Sequence, residues 1–180
     1  MRSGASSGRR PALARIARWR VPLGFLFGVA AVALAHPSSR SLAVGALVGA
    51  CGEAVRIWAA GHLEKGREVT RSGPYRWTRH PLYAGSSIMG VGLGVASRSL
   101  LVSALVLAYL AVTIGAAIRT EEAHLTNTFG AEYSAYRQGT AAPVPRRFSL
   151  ARAIRNREYR AALGFAAVLA ILALRSRGVL

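Results

Sequence analysis

The stretch of sequence that decides the fold class is residues 100–118, LLVSALVLAYLAVTIGAAI. It carries no charged residue, and its length is close to the roughly 20 apolar residues that a helix needs to cross a bilayer. It does not alternate apolar and polar residues, as the strand of a membrane barrel would. The stretch therefore predicts a transmembrane helix in an all-α integral membrane protein.

Four further apolar runs lie on either side of this stretch. They cover Val21–Ala35, Leu42–Ala60, Leu82–Ala96 and Ala161–Leu174. The last run is short, so it either crosses the membrane or enters and leaves it on one side. Together the runs predict a helical bundle of about five transmembrane helices over residues 21–180. A basic cytoplasmic segment, residues 1–20, precedes this membrane domain.

The composition excludes several functional classes. Hydrophobic residues make up 52% of the chain, which is too much for an intrinsically disordered protein. The apolar runs also argue against a soluble nucleic-acid-binding domain, although the net charge is +17. Cys51 is the single cysteine, so neither a disulfide framework nor a thiolate metal cluster is expected.

The basic residues predict the orientation of the chain. If the N-terminus is cytoplasmic and all five runs cross, most of the 24 Lys and Arg residues fall on the cytoplasmic side. Basic loops suit an anionic leaflet, which explains the charge without nucleic acid as a partner. We therefore expect a protein of the bacterial inner membrane whose N-terminus and basic loops are cytoplasmic. A signal peptide ending at residues 33–35 is the alternative interpretation of the first run.

Two patterns inside the apolar runs predict contacts between helices. Small residues recur at Gly24/Gly28, Gly45/Gly49 and within 90–94, which is typical of helices that pack closely in lipid. Glu53 and Arg56 are three residues apart and share a helical face. We interpret them as a structural ion pair.

Polar side chains collect in two segments at the predicted cytoplasmic ends of the helices. Residues 67–85 read REVTRSGPYRWTRHPLYAG, in which Gly73-Pro74 is a turn signal and Pro81 stands where a helix would begin. Residues 119–136 read RTEEAHLTNTFGAEYSAY. On a helix, one stripe of that second segment would contain Glu122, Leu125, Phe129, Tyr133 and Tyr136.

The two segments should meet in space. A turn near residues 97–99 joins the third and fourth runs as an antiparallel pair, and His80 and Glu121 then differ in height by only about 7 Å. We therefore expect Arg79, His80 and Tyr83 to face Glu121 and Glu122 across one pocket mouth. The competing interpretation is an interfacial helix start with snorkelling side chains and a solvated acidic face.

The two segments contain G-P-Y-R-x-x-R-H-P-x-Y-x-G at 73–85 and E-E-x-x-L-x-x-x-F-G-x-E-Y-x-x-Y at 121–136. In this order and spacing they resemble the integral-membrane isoprenylcysteine carboxyl methyltransferases and the related membrane phospholipid methyltransferases. The resemblance covers roughly residues 60–137, the core motifs of the membrane domain. It implies that S-adenosyl-L-methionine is the methyl donor and that a lipophilic acceptor enters from the bilayer.

The resemblance also implies a set of site residues. Cofactor-binding residues would be Arg67, Val69, Thr70, Tyr75, Arg79, His80, Pro81, Leu82, Tyr83, Gly85 and Glu121. We expect Arg119 and Glu122 to take part in catalysis, and no metal is expected. The eukaryotic carboxyl methyltransferases carry a substrate arginine at the position of Ala117, and Arg119 is the nearest arginine here. The acceptor is therefore a prenylcysteine-like carboxylate, a lipid amine or a hydrophobic thiol.

Two other functional classes remain open at this stage. Membrane sterol-type reductases share a related R-H-P-x-Y-x-G segment and use NADPH, although they usually lack the Glu-Glu pair. A non-catalytic membrane protein could also retain the fold. Residues Arg146–Arg160 predict a basic interfacial helix that docks on the membrane or covers the pocket. The oligomeric state does not follow from the sequence.

Overall fold

The computed structural model describes residues 28–179, and every regular element in that range is helical. A 3₁₀ turn covers Gly73–Arg76, residues 28–33 are also helical, and five α-helices follow one another along the chain. These are α1 (Ser39–Ala60), α2 (Pro81–Ser97), α3 (Leu100–Arg137), α4 (Leu150–Arg155) and α5 (Tyr159–Ser176). The all-α prediction is confirmed. The basic segment 1–20 and residues 21–27, which include the beginning of the first apolar run, lie outside the described residues.

Three of the described helices are long and apolar enough to cross a membrane: α1, α3 and α5. Helix α5 has 18 residues, which allows the fifth apolar run to cross. Helix α2 has 17 residues. At about 1.5 Å per residue it is about 25 Å long, slightly less than a typical hydrocarbon core. About five spans are therefore not confirmed.

Helices α2 and α3 form the antiparallel hairpin that the sequence predicts. Helix α2 begins at Pro81, directly after its N-cap His80. It ends at Ser97, and Arg98 turns the chain in a left-handed conformation with φ 51°. The side chain of Ser99 then caps α3 by accepting a hydrogen bond from the Val102 amide at 3.4 Å. The first-turn residues of α2 and the middle of α3 are thereby brought to the same end of the bundle.

Helices α1 and α2 pack backbone against backbone through glycines. A Cβ atom on Gly92 would lie 2.6 Å from the carbonyl oxygen of Gly45. A Cβ atom on Gly52 would lie 2.6 Å from the carbonyl oxygen of Gly85. The predicted role of Gly45 and of the 90–94 cluster in close packing is confirmed, since only glycine permits this approach.

Helix α3 continues beyond its apolar part, residues 100–118, for a total of 38 residues. The predicted single stripe along this extension is interrupted, because Gly130 has the non-helical angles φ 47° and ψ −113°. Glycine adopts positive φ without the penalty that a side chain would cause. Tyr133 and Tyr136 therefore follow a break in the helix, which redirects them relative to Glu122.

The prediction of one basic helix over residues 146–160 is wrong. Residues 146–149 have no regular structure, and α4 contains only six residues. Arg157, with φ 62°, separates α4 from α5. Ion pairs with the loop between α1 and α2, described below, hold this segment in its irregular path.

Arg56 connects three helices at the end of the bundle that carries residues 61–80 and 119–158, called the basic end below. Its Nε donates to Glu158 Oε1 at 2.5 Å, while Glu53 Oε2 lies 3.9 Å away. Its Nη1 contacts the Leu82 carbonyl oxygen at 3.3 Å and the hydroxyl of Ser86. The predicted pair with Glu53 is present, but Glu158 is the closer partner.

Candidate functional site

A cavity of about 550 Å³, called the first cavity, opens at the basic end. Its volume falls within the range of small-molecule sites. Three parts of the chain form its wall: residues 63–70, the 3₁₀ turn with the start of α2, and the α3 stretch from Thr113 to Tyr136. The cavity therefore lies where the two polar segments meet.

Most of the residues expected to bind a cofactor lie in this wall. They are Val69, Thr70, Tyr75, Arg79, His80, Pro81, Leu82, Tyr83 and Glu121. Val69, Thr70, Tyr75 and Pro81 are buried. The ring centroids of His80 and Tyr83 are 5.8 Å apart, so these two aromatic side chains form one patch of the wall.

The other expected site residues lie beside the cavity. Arg67 is 78% exposed and its guanidinium is 3.9 Å from Glu64. Gly85 lies in the α1–α2 crossing, where a Cβ atom would meet Arg56. Arg119 is exposed on α3. Glu122 is not in the wall, but it contacts two residues that are.

Glu122 joins the two polar segments. Its Oε1 lies 3.2 Å from His80 Nε2 and 3.0 Å from Arg79 Nη1. The hydrogen bond with His80 lowers the pKa of the Glu122 carboxyl, and the charge of Arg79 lowers it further. The predicted approach is confirmed for Arg79 and His80 against Glu122, while Tyr83 and Glu121 line the same cavity.

Two buried polar atoms in the wall residues lack a hydrogen-bond partner within the described part of the chain. They are Nδ1 of His80 and the hydroxyl of Tyr133. Leaving such an atom unsatisfied costs about 1–3 kcal/mol. Both atoms belong to residues of the cavity wall, which makes them candidate contacts for a polar ligand. The sequence contained Tyr133 in the second motif, but nothing in the helical stripe distinguished it from its neighbours.

The 3₁₀ turn is held against the end of α3. The hydroxyl of Tyr136 donates to the Tyr75 carbonyl oxygen at 2.7 Å. Burial, above all, raises the pKa of the Tyr75 phenol, so this side chain stays protonated at neutral pH. Tyr75 and Tyr136 both line the cavity, and their contact closes the wall between the two motifs.

The wall formed by residues 63–70 is clamped from outside by the C-terminal part of the chain. Arg152 Nε donates to Glu64 Oε1 at 2.7 Å, and its Nη1 donates to the Gly61 carbonyl oxygen at 2.5 Å. Arg146 Nη1 lies 2.6 Å from Glu68 Oε1. The hydrogen bond from Arg152 lowers the pKa of Glu64, which keeps this carboxylate charged at neutral pH. We call these pairs the loop clamp.

Substitution Arg152→Gln is expected to loosen the loop clamp. It removes the ion pair with Glu64, of which both partners are more than four-fifths buried. We expect a loss of about 1–2 kcal/mol of stability and a several-fold weaker affinity for any ligand of the first cavity. Thermal melting and limited proteolysis of residues 61–70 measure both effects. Arg155→Gln is the matched control, because Arg155 is 61% exposed and 3.5 Å from the same carboxylate; equal effects would contradict the clamp.

Comparison with known families matches residues 41–132 to the phospholipid methyltransferase model. The chain belongs to the phospholipid methyltransferase family. This is the family of membrane methyltransferases related to the isoprenylcysteine carboxyl methyltransferases. The match contains nearly all of α1, the whole of α2 and most of α3, so it includes His80 and Glu121. Tyr133 and the loop clamp residues Arg146 and Arg152 lie beyond it.

Two curated relatives are similar to this chain. One is the cobalt-zinc-cadmium resistance protein CzcN of Cupriavidus metallidurans, 34% identical over 139 residues, which are 73% of this chain and 64% of the relative. The other is the nickel-cobalt-cadmium resistance protein NccN of Alcaligenes xylosoxydans xylosoxydans, 33% identical over 111 residues, or 61% of this chain and 52% of the relative. The chain therefore spans less than two thirds of either relative. No solved structure matches the chain.

Proposed function

We propose that the protein transfers a methyl group from S-adenosyl-L-methionine to a lipophilic acceptor at the cytoplasmic surface of a bacterial inner membrane. Membership in a membrane methyltransferase family supports methyl transfer. The observation that carries the proposal is the first cavity, because its wall joins the two motifs of the family at the end of an apolar helical bundle. The basic residues around it support a cytoplasmic position.

The residues of the first cavity suit a zwitterionic donor that also carries an aromatic base. The Glu121 carboxylate can receive an amine or ribose hydroxyls, since Glu122 already holds Arg79 and His80. His80 Nδ1 and the Tyr133 hydroxyl are the two unsatisfied buried atoms that a polar ligand would engage. Tyr83 and the apolar side chains of the wall offer surfaces for adenine.

When bound, S-adenosylmethionine would supply a methyl group on a sulfonium sulfur. The lone pair of the acceptor would form the new bond to carbon, the electron pair of the carbon–sulfur bond would return to sulfur, and an amine or thiol acceptor would release its proton to solvent. The protein needs no strong acid for this methyl transfer. Its residues would orient the two reactants, and the buried part of the wall around Tyr75 would help to exclude water. Glu122 would act as a positioning residue through Arg79 and His80. Arg119, next to Thr120 and Glu121 of the wall, would meet the polar group of the acceptor.

The acceptor class can be tested directly. Purified protein in phospholipid nanodiscs is incubated with methyl-labelled S-adenosylmethionine and one of three probes: N-acetyl-S-farnesylcysteine, phosphatidylethanolamine or dodecanethiol. We expect label in the organic extract with one probe. Glu121→Ala should abolish it, whereas Glu132→Ala should not, because Glu132 pairs with Arg71 outside the cavity. No labelled product from any probe, with the protein folded, would contradict a lipophilic acceptor, and NADPH oxidation would favour a reductase.

The names of the two relatives refer to metal resistance. Within residues 28–179 no group of three or more His, Cys, Asp and Glu side chains is arranged to hold a metal ion. No observation there favours metal binding as a second function, and our proposal for this chain is methyl transfer.

Tyr133→Phe is expected to separate ligand binding from folding. The change removes a buried hydroxyl that has no partner in the described residues, so the melting temperature should stay the same or rise slightly. The affinity for S-adenosylhomocysteine should fall by about 3- to 10-fold, the worth of one hydrogen bond. Tyr159→Phe is the control, since Tyr159 is 47% exposed on α5. A lower melting temperature with unchanged affinity would assign Tyr133 a structural role instead.

A further inference from the structure

Helix α4 is fixed to the end of α1 at the basic end of the bundle. The Ser149 amide, at the start of α4, donates to the Gly61 carbonyl oxygen at 3.1 Å. At the other end of α4, Nδ2 of Asn156 donates to the Ala60 carbonyl oxygen at 2.9 Å. Both α1, which ends here, and α5, which begins here, are long and apolar enough to cross a membrane. Helix α4 therefore lies at the level where these two helices would leave the hydrocarbon core.

The outward face of α4 is apolar. Leu150 and Ile154 are four residues apart and share one helical face, and they are 60% and 55% exposed. Phe148, just before the helix, is 46% exposed. The buried Ala153 and the clamp residue Arg152 occupy the opposite side of the helix. Apolar side chains that face outward at this level are suited to contact with lipid.

Unpaired arginines flank this apolar face at both ends of α4. Arg147 precedes the helix and Arg157 follows it, and both are exposed. Within residues 28–179 no carboxylate lies within ion-pair distance of either arginine. Glu158 is the nearest acidic residue in sequence, but it is buried and held by Arg56. We call these five residues the docking face: Arg147, Phe148, Leu150, Ile154 and Arg157.

Anionic phospholipid headgroups complement the docking face. A guanidinium group can donate two parallel hydrogen bonds to one phosphate, and each arginine near an anionic leaflet strengthens binding by about fivefold. The apolar side chains between the arginines would then lie among the headgroups and the first carbons of the acyl chains. Nucleic acid would also neutralise the arginines, but it would leave Leu150 and Ile154 in water.

The same segment of the chain holds the wall of the first cavity from its other side. Arg152 pairs with Glu64, and Arg146 pairs with Glu68, and both glutamates belong to that wall. Because α4 carries both the docking face and the loop clamp, a contact that fixes residues 147–157 at the membrane also fixes the clamp. The loop at 61–70 is thereby connected to the lipid composition of the leaflet.

We propose that the docking face binds anionic phospholipid headgroups of the membrane and that this contact holds the loop clamp closed on the first cavity. The lipid in this proposal is a regulator bound outside the cavity and is not the methyl acceptor. The proposal therefore goes beyond methyl transfer, and its test requires neither a methyl donor nor an acceptor.

The experiment is hydrogen–deuterium exchange of the full chain in two kinds of nanodisc. One contains phosphatidylcholine alone, and the other contains an equimolar mixture of phosphatidylcholine and phosphatidylglycerol. We expect the backbone amides of residues 147–157 and of residues 61–70 to exchange more slowly in the mixture, by about fivefold, the effect of one arginine at an anionic surface. Amides of residues 36–40, at the opposite end of the bundle, should exchange equally in both.

A charge variant and a matched control test the assignment. Arg147→Gln combined with Arg157→Gln should abolish the slowing in the mixture. The control combines Arg40→Gln with Arg98→Gln, which removes two exposed arginines at the opposite end of the bundle. Arg98 also matches Arg157 in backbone conformation, with φ 51° against 62°. The control should exchange like the unmodified chain.

A second variant tests the apolar part of the docking face. Leu150→Ser combined with Ile154→Ser retains both arginines and should lessen the slowing at residues 147–157. Both side chains are exposed, so neither change disturbs the packing of α4 against α1.

Four results would overturn the proposal. Equal exchange in the two nanodiscs would show that the segment does not bind anionic lipid. Full slowing in the Arg147→Gln, Arg157→Gln variant would place the lipid elsewhere. Slowing by dissolved glycerol phosphate or by an oligonucleotide, in phosphatidylcholine alone, would assign the face to a soluble anion or to nucleic acid. Slowing at residues 147–157 without slowing at 61–70 would contradict the connection to the cavity. A failure of S-adenosylhomocysteine to bind would contradict the proposed function and leave these four readouts unchanged.

Discussion

His80→Ala is expected to weaken the binding of S-adenosylhomocysteine by about 10- to 100-fold, which is the range for losing hydrogen bonds that involve a charged group. The change removes Nδ1, one of the two unsatisfied buried atoms in the wall residues of the first cavity, and Nε2, which contacts Glu122 at 3.2 Å. Among residues 28–179, Arg79 would remain as the ion-pair partner of Glu122. Isothermal titration of the purified protein measures the change.

The matched control for this substitution is His36→Ala. His36 is exposed, lies between the residue 28–33 helix and α1, and does not contribute to the wall of the first cavity. We expect its affinity to equal that of the unmodified chain. If His80→Ala bound the ligand as tightly as His36→Ala, the first cavity would not be the cofactor site.

Gly92→Leu is expected to have the largest effect on stability. A Cβ atom at this position would lie 2.6 Å from the Gly45 carbonyl oxygen and from the Gly49 amide nitrogen. Both are backbone atoms of α1, which cannot relieve the overlap by changing rotamer as a side chain could. Helices α1 and α2 must therefore move apart. The typical cost of overpacking is about 1–3 kcal/mol, which lowers the melting temperature by roughly 3–10 °C.

Size-exclusion chromatography after heating measures this loss in detergent. Gly115→Leu is the control, because the same side chain is added where no atom lies within 4 Å. Its melting temperature should stay within about 2 °C of the unmodified chain. Equal melting of Gly92→Leu and Gly115→Leu would contradict the close packing of α1 against α2.

The parts of the fold that follow from local sequence signals were predictable. Pro81 marks the start of α2 because its ring suits the first helical position, and the polar residues near 97–99 separate two apolar runs. These two signals set the positions of His80 and Glu122 along neighbouring helices, because the rise per residue converts a sequence separation into a distance along the helix axis. The sequence predicts that His80 and Glu121 differ in height by about 7 Å, and the structure places His80 Nε2 3.2 Å from Oε1 of the neighbouring Glu122.

The parts that depend on long-range contacts were not predictable. Arg152 is 88 residues from Glu64, and Glu158 is 102 residues from Arg56. The sequence of an arginine-rich segment does not show whether its side chains face lipid headgroups or pair with distant carboxylates. For this reason the sequence predicts one basic helix over residues 146–160. In the structure, ion pairs hold this segment against the loop between α1 and α2, and only the short α4 is helical before α5.

The candidate site was predictable in its location but not in all its members. The motifs indicated Tyr75, His80 and Glu121, which lie in the wall of the first cavity. They did not distinguish Tyr133, because its burial depends on the break at Gly130, which no periodic pattern reveals. They also did not reveal that Gly85 serves the α1–α2 crossing.

The central claim is that the first cavity binds S-adenosylmethionine. Its most direct test is isothermal titration of the purified chain with S-adenosylhomocysteine, beside NADPH and beside Glu121→Ala, with Glu132→Ala as the matched control. We predict micromolar binding of S-adenosylhomocysteine that Glu121→Ala abolishes and Glu132→Ala preserves, and no binding of NADPH. Binding of NADPH alone, or of neither ligand by folded protein, would contradict the account.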